Sequence, residues 1–332
     1  MNKMLFAVSA LVIWVSALCP GCLDNGSMDD DHTILLYGFS VKGEVLNEKI
    51  IPSFKQYWKE LTGEEVDFQT SYAGSGKITS QVLNGAPAEV MVLSTEWDAM
   101  ELMDQGMVTA DWRMLPYNGT VTTSPWVIMT RDDNPRSIED FRDLAGDVEI
   151  VHADPMTSGG ARWSVFSVYG SELRNSNGTL EERKKSAEKL LREIGNNVIS
   201  WQSSARKALS QFTLGYGDAF ITYENDAMLS IEKGKPVDIV YPRSTILSEH
   251  KVVMVDHNIG PGERELVEAF IDYLFTEEVQ SYFVQYNFRS VLENLNQDLH
   301  TVEDPFTIEY LGGWESAMEE IVNGIFPDIR EG

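Results

Sequence analysis

The chain has 332 residues, and its 52 acidic against 26 basic residues give a formal net charge of −26. That balance argues against a nucleic-acid partner and against docking on an anionic membrane surface. The two cysteines, Cys19 and Cys22, both lie near the N-terminus, so the rest of the chain has no disulfide, no thiol nucleophile and no thiolate metal site.

Taken in order, the chain opens with Lys3 and an apolar run from Met4 to Leu18, which is short for a bilayer span. Pro20, Gly21 and Cys22 close it. A small residue before a cysteine at such a point looks like a lipoprotein processing site, with Cys22 as the lipid attachment. Plain cleavage nearby or an uncleaved anchor are the other readings, and each exports the protein. Residues 1–22 are thus a leader, and 23–32, with three consecutive aspartates, an acidic solvated tether. Asn25, Asn118 and Asn177 head Asn-X-Ser/Thr sequons that permit glycosylation without demanding it.

From Thr33 the pattern alternates between strand-like and helical runs. Strands are expected at Thr33–Phe39, Ala88–Ser94, Trp126–Arg131, Val148–Ala153, Asp218–Tyr223, Val237–Tyr241 and Val252–Asp256. In Lys49–Leu61 the residues Ile50, Phe54, Tyr57 and Leu61 share a helical face. In Lys184–Ile194 the same holds for Ala187, Leu190, Leu191 and Ile194, with Gly195 placed to end the helix. Glu265–Tyr286 is a longer amphipathic pattern with room for two helices. The alternation predicts an α/β protein with largely parallel sheets, and a length near 300 residues predicts two lobes.

Three stretches place small polar residues where a strand gives way to a helix. Asp154 and Pro155 end one strand, Thr157, Ser158, Gly159 and Gly160 follow, and Ala161, Val165, Phe166 and Tyr169 then recur at helical spacing. Gly74, Ser75, Gly76 and Lys77 precede Ile78, Val82 and Leu83, predicted to face inward with Gly85 as the stop. Ser203 or Ser204 caps a helix carrying Ala208, Leu209 and Phe212. A helix N-terminus presents unpaired N–H groups and the positive end of its dipole, so such corners suit anions. An ordinary serine cap with turn glycines is the commoner use of the same residues. In open α/β sheets ligands bind beyond the carboxyl ends of strands, where three such corners would form a cradle for a tetrahedral oxyanion.

Catalytic readings fare less well. The Tyr72–Lys77 stretch departs from a phosphate-binding P-loop at both ends, with Ser71 where a glycine is needed and Ile78 where a hydroxyl is needed. His32, His152, His250, His257 and His300 are scattered, and Ser158 lacks the nucleophile-elbow pattern. No enzyme activity, cofactor, metal or nucleic acid is expected.

Together these motifs resemble the periplasmic sulfate/thiosulfate-binding proteins of ABC importers, within the type II solute-binding fold. The likeness runs from about Ile34 to Ile329. It is carried by Gly74–Lys77, by Pro155–Trp163, by Ser204–Arg206, by Gly217 and Asp218 with Tyr223–Ala227, and by Phe306–Ile308 with Gly312–Trp314. The resemblance implies two α/β lobes joined by two crossover strands, near Thr122–Trp126 and Ile246–Lys251, with lobe 1 at 33–122 and 250–332 and lobe 2 at 123–249. It implies an anion in the cleft held by uncharged donors: a backbone donor at Ser40, the Ser75 and Ser158 hydroxyls, N–H groups at Ser158, Gly159, Gly160 and Ala205, and Tyr223. At two positions the chain departs from the family. Phe39, Ser40 and Val41 stand where the family has Ser-Tyr-Asp, and Tyr223 stands where it uses a Trp indole. The expected function is capture of sulfate or a related oxyanion such as thiosulfate for an ABC permease, by a monomer outside the cytoplasm. Phosphate, molybdate or tungstate binding and a ligand-presenting sensor are the alternatives. A protonated phosphate needs a buried acceptor, for which Asp154 and Glu224 are the candidates in sequence.

Overall fold

A computed structural model of the protein describes residues 32–331; the leader, Cys22 and Asn25 lie outside them. Eleven strands form one continuous hydrogen-bonded path with side branches. They are β1 (His32–Phe39), β2 (Val66–Ala73), β3 (Val90–Leu93), β4 (Thr120–Arg131), β5 (Ile150–Ala153), β6 (Val198–Gln202), β7 (Ala219–Tyr223), β8 (Val237–Val240), β9 (Ser244–Met254), β10 (Arg289–Ser290) and β11 (Asp304–Phe306). The order is β2-β1-β3-β9-β4-β7-β5-β6, with β8 and β10 on β4 and β11 on β9. The β1, β2 and β3 pairings are parallel, as are those of β5 with β6 and β7. Between these two parallel groups run β4 and β9, antiparallel to each other with Thr122 opposite His250 and Pro125 opposite Leu247. Both are long enough to serve both groups: β9 pairs with β3 at its end, while β4 pairs with β7 and β8.

The helices include α1 (Ile51–Thr62), α2 (Ser75–Leu83), α3 (Glu96–Asp104), α4 (Gly159–Asn175), α5 (Leu180–Asn196), α6 (Ala205–Thr213), α7 (Glu224–Glu232), α8 (Arg264–Tyr273) and α9 (Glu277–Gln285). The long pattern after Glu265 is therefore two helices. Thr276 divides them by accepting the Val279 N–H at the start of α9. Helix α4 is buried from Gly159 to Leu173. Its small residues let neighbours approach closely. A Cβ on Gly170, for instance, would stand 2.4 Å from the Phe306 ring.

Several local expectations are revised. In α1 the buried face is Ile51, Phe54 and Trp58, while Tyr57 and Leu61 are exposed. Trp58, four residues after Phe54, takes the inward place that Tyr57, three residues after it, was expected to hold. Leu83 is exposed, so α2 buries Ile78, Thr79 and Val82 instead. Gly195 does not end its helix. It lies inside α5, where an added Cβ would be 2.1 Å from Ile329 Cγ2; close helix packing, not a left-handed turn, explains the glycine. Strands β2 and β6 were not expected because both lie at the ends of the sheet path and carry polar, part-exposed residues. An edge strand need not show a buried apolar face.

Candidate functional site

Each of the three helix starts sits at the carboxyl end of a strand. β2 runs into α2 through Gly74, β5 into α4 through Asp154–Ser158, and β6 into α6 through Ser203 and Ser204. Ser158 and Ser204 are N-caps whose hydroxyls accept from Ala161 N at 3.4 Å and Lys207 N at 3.3 Å. At the first corner Gly74 is the N-cap and Ser75 the first helical residue. The Ser75 hydroxyl accepts the Ser94 N–H at 3.0 Å instead. That bond uses a lone pair and leaves the O–H proton for another acceptor.

Gly74 shows that the corners converge. A Cβ there would lie 2.3 Å from the Thr157 carbonyl oxygen and 2.9 Å from that of Ser203. One glycine of the β2–α2 corner therefore touches both other corners through backbone that cannot step aside. Thr157 adds a bond of 3.3 Å from its hydroxyl to the Ser203 carbonyl. The two glycines of α4 are equally crowded. A Cβ on Gly159 would be 2.9 Å from Ser94 Oγ, and one on Gly160 would be 2.9 Å from Tyr223 OH. The first-turn N–H groups at Gly159, Gly160 and Ala205 have no intrahelical acceptor. The Ser158 N–H is different, since it donates to the Asp154 carbonyl at 2.9 Å.

Tyr223 ends β7 and is fully buried, its hydroxyl 2.7 Å from Ser94 Oγ. Burial pushes the phenol pKa well up, the Ser94 bond pulls it part of the way back, and Asp226 and Asp98 add smaller upward shifts; the group is a neutral hydroxyl. Its ring packs 4.3 Å from Trp126, the residue opposite it on β4, and 6.0 Å from Phe39. Ser40 follows Phe39 directly and opens the turn after β1. Of the residues expected at the site, Ser75 and Tyr223 both reach Ser94, Gly159 and Gly160 face Ser94 and Tyr223, Ser158 and Ala205 stand at the helix starts, and Ser40 follows β1.

Two further residues belong to it. Ser94, at the end of β3, touches the Ser75 hydroxyl, the Tyr223 hydroxyl and, through its carbonyl, the Trp163 indole at 2.6 Å. Trp126 is buried, and its Nε1–H has no hydrogen-bond partner. Neither announces itself in sequence: Leu93-Ser94-Thr95 carries no glycine, and Trp126 reads as an interior strand residue.

Three nearby carboxylates are hydrogen-bonded, whereas the oxygens of the buried Asp226 have no hydrogen-bond partner, with Arg206 Nη1 3.7 Å away. Glu224 accepts two bonds from Arg289, both 2.7 Å, and one from Tyr241 at 3.0 Å. Asp98 takes Arg162 at 2.6 Å and the Thr95 hydroxyl at 2.7 Å. Asp154 accepts the Met156 N–H at 2.9 Å.

The sequence pattern of the bacterial extracellular solute-binding proteins matches residues 39–289. The chain belongs to this family. The sulfate-binding protein of Synechococcus elongatus is 37% identical over 97% of this chain and 94% of its own length. The thiosulfate-binding protein of Pseudomonas aeruginosa is 30% identical over 95% and 97%. Among solved structures, the sulfate-binding protein SubI of Mycobacterium tuberculosis matches with a TM-score of 0.79 at 27% identity, covering 87% of this chain and 99% of that one. Within a solute-binding protein the curled sheet has a plain meaning. It is the two-lobed type II fold, with β4 and β9 between the two parallel groups and the helix starts facing one another. The family works outside the cytoplasm.

Proposed function

We propose that this solute-binding protein captures sulfate or thiosulfate at the convergence of the three helix starts and hands it to an ABC permease. The observation that carries the reading is a corner rich in uncharged hydrogen-bond donors. Neutral groups surround it: the Gly159, Gly160 and Ala205 N–H groups, the hydroxyls of Ser75, Ser94, Ser158 and Tyr223, and the unpartnered Trp126 indole. A fully ionised tetrahedral oxyanion needs donors alone. Monohydrogen phosphate also needs an acceptor, and Glu224 is already committed to Arg289 and Tyr241. A site that leaves a ligand proton unpaired rejects that ligand strongly. The names of the relatives agree with this choice.

The same reading includes no catalytic step, a monomer, lobe boundaries near 122/123 and 249/250, and a lipid at Cys22 that keeps the protein at the membrane. Calorimetric titration of the full mature chain with sulfate, thiosulfate, phosphate, molybdate and tungstate tests it. Sulfate or thiosulfate should bind in the micromolar range or tighter, and phosphate at least about a hundredfold more weakly, the scale on which an unpaired buried polar group is rejected. Phosphate binding on a par with sulfate would remove this assignment.

A further inference from the structure

Two residues beyond Ser40 the chain buries a lysine completely. Lys42 Nζ stands 3.3 Å from the Phe288 ring centre, 4.6 Å from that of Phe283 and 5.8 Å from that of Phe39, and it donates to Thr122 Oγ1. None of these contacts is a carboxylate. From Thr122 a chain of hydrogen bonds continues toward the site. Thr122 Oγ1 lies 2.8 Å from His250 Nδ1, His250 Nε2 lies 3.4 Å from Ser248 Oγ, and Ser248 donates to the Ser124 carbonyl at 2.8 Å. Ser124 Oγ in turn accepts the Glu224 N–H at 3.2 Å, next to Tyr223. With Lys42 as the donor to Thr122 Oγ1, the Thr122 hydroxyl donates to His250 Nδ1, and the Nε2–H then faces Ser248. The His250 ring also packs 4.9 Å from Phe39 and 5.4 Å from Tyr223. Lys42 therefore sits behind the Phe39 ring, which packs on Tyr223, and its hydrogen-bond run reaches the Ser124 carbonyl on β4.

A buried ammonium without a counter-ion is strongly disfavoured, and its usual escape is to lose the proton. The structure needs another reason to keep a lysine here, since a methionine would fill the same space. The charges on surrounding elements do not supply one. On β9, Lys251 is held by Glu249 at 2.7 Å with Glu96 at 3.9 Å, and His250 is itself fully buried. On β10 Arg289 occupies Glu224, and beyond the first turn Glu44 is taken by Lys233 and Arg206. On α7 the buried Asp226 faces Arg206 at 3.7 Å. Among the described residues no carboxylate is hydrogen-bonded or ion-paired to Lys42, and a dianion captured at the corner would bring a charge of opposite sign toward it.

We infer that Lys42 is the counter-charge of the bound dianion, taking up a proton as the anion docks. This rests on the oxyanion reading of the site. Desolvation holds the Lys42 pKa well below the ordinary lysine value in the free protein. A dianion at the corner, seen through low-dielectric packing, raises it again. Between the free and the bound value, binding draws in protons, so affinity falls as pH rises through that window, by up to about tenfold per pH unit for one linked proton.

The test is sulfate titration calorimetry on the full mature chain in pairs of buffers with different ionisation enthalpies, from about pH 6 to 10. Sulfate remains fully ionised there, so protons taken up go to the protein. The wild type should take up a substantial fraction of a proton in one pH window. Lys42→Met should fold, take up none, bind with pH-independent affinity, and bind at least about tenfold more weakly at the acid end. Tight sulfate binding by the wild type with no proton uptake at any pH overturns this inference while leaving the oxyanion site standing. Uptake that persists in Lys42→Met but vanishes in His250→Gln moves the proton to His250 and overturns it as well. Failure of every oxyanion to bind the wild type removes the site reading and this inference together.

Discussion

At the scale of single residues, Gly74 distinguishes a converged site from three unrelated helix caps. Its φ of −60° is open to any L-residue, so conformational freedom does not explain the glycine. Space does: a methyl group would meet two backbone carbonyl oxygens at 2.3 and 2.9 Å, from segments that begin two other helices. Backbone cannot rotate away as a side chain can, so the corners would have to separate. Gly74→Ala should therefore weaken sulfate binding by at least about 1.4 kcal/mol, a factor of ten, while leaving the melting temperature of the anion-free protein nearly unchanged. Equal affinity in the two proteins, measured calorimetrically, would mean that the anion sits away from this convergence. Ser94 belongs to the same scale. It was illegible in sequence because a serine at a strand end is common, and only the fold shows that it faces the Ser75 and Tyr223 hydroxyls.

At the scale of elements, legibility followed burial pattern. The β1, β3, β5 and β7 strands and the two amphipathic helices α5 and α8 were readable because one face or both is apolar. The edge strands β2 and β6 were not, and the buried face of α1 was misplaced because Tyr57 and Trp58 both stand at helical spacing from Phe54. The helix starts were readable as motifs, but their convergence was not, since it depends on how β2, β5 and β6 are spaced across the sheet. His152 lies near the end of β5. The ring is fully buried between the Ala153 carbonyl and the Ser164 hydroxyl, each 2.6 Å away. Desolvation pushes its pKa down to about 4, outweighing the Ala153 bond and the charge of Asp154, which pull upward. The folded state then binds fewer protons than the unfolded state between about 4 and 6.5. The contribution is complete above the unfolded value and is lost as pH falls through the window, a loss of up to about 3 kcal/mol. Urea unfolding at several pH values should show the wild type losing that much more than His152→Phe on acidification. Parallel profiles would mean that His152 is not held neutral by its strand.

At the scale of the whole molecule, the two parallel groups of strands are tied across the site as well as through β4 and β9. Asp98 on α3, beside the β1–β3 group, meets Arg162 on α4, beside the β5–β7 group, at 2.6 Å. Asp98 is fully buried and Arg162 5% exposed. Arg162 also donates to the Pro155 carbonyl at 3.0 Å, and its guanidinium lies where a Cβ on Gly76 would be 2.7 Å away. The pair thus spans the same corners that gather the donors. If the lobes move apart when the anion leaves, both ions return to water, and the pair exists only in the closed form. Its formation is then part of the binding free energy. Removing one partner leaves the other buried without its counter-ion, a loss of about 3–5 kcal/mol in the closed state and little in the open one. Asp98→Leu and Arg162→Met should each lower sulfate affinity by at least about tenfold, with much smaller effects on the melting of the anion-free protein. Replacing both should recover most of the affinity, because an apolar pair of similar volume is about as stable as a buried ion pair. Scattering profiles with and without sulfate, recorded on the same proteins, should show compaction in the wild type and the double variant and a reduced change in the singles. If the single variants bind sulfate like the wild type, the pair forms equally with and without the anion, and closure is not what joins Asp98 to Arg162.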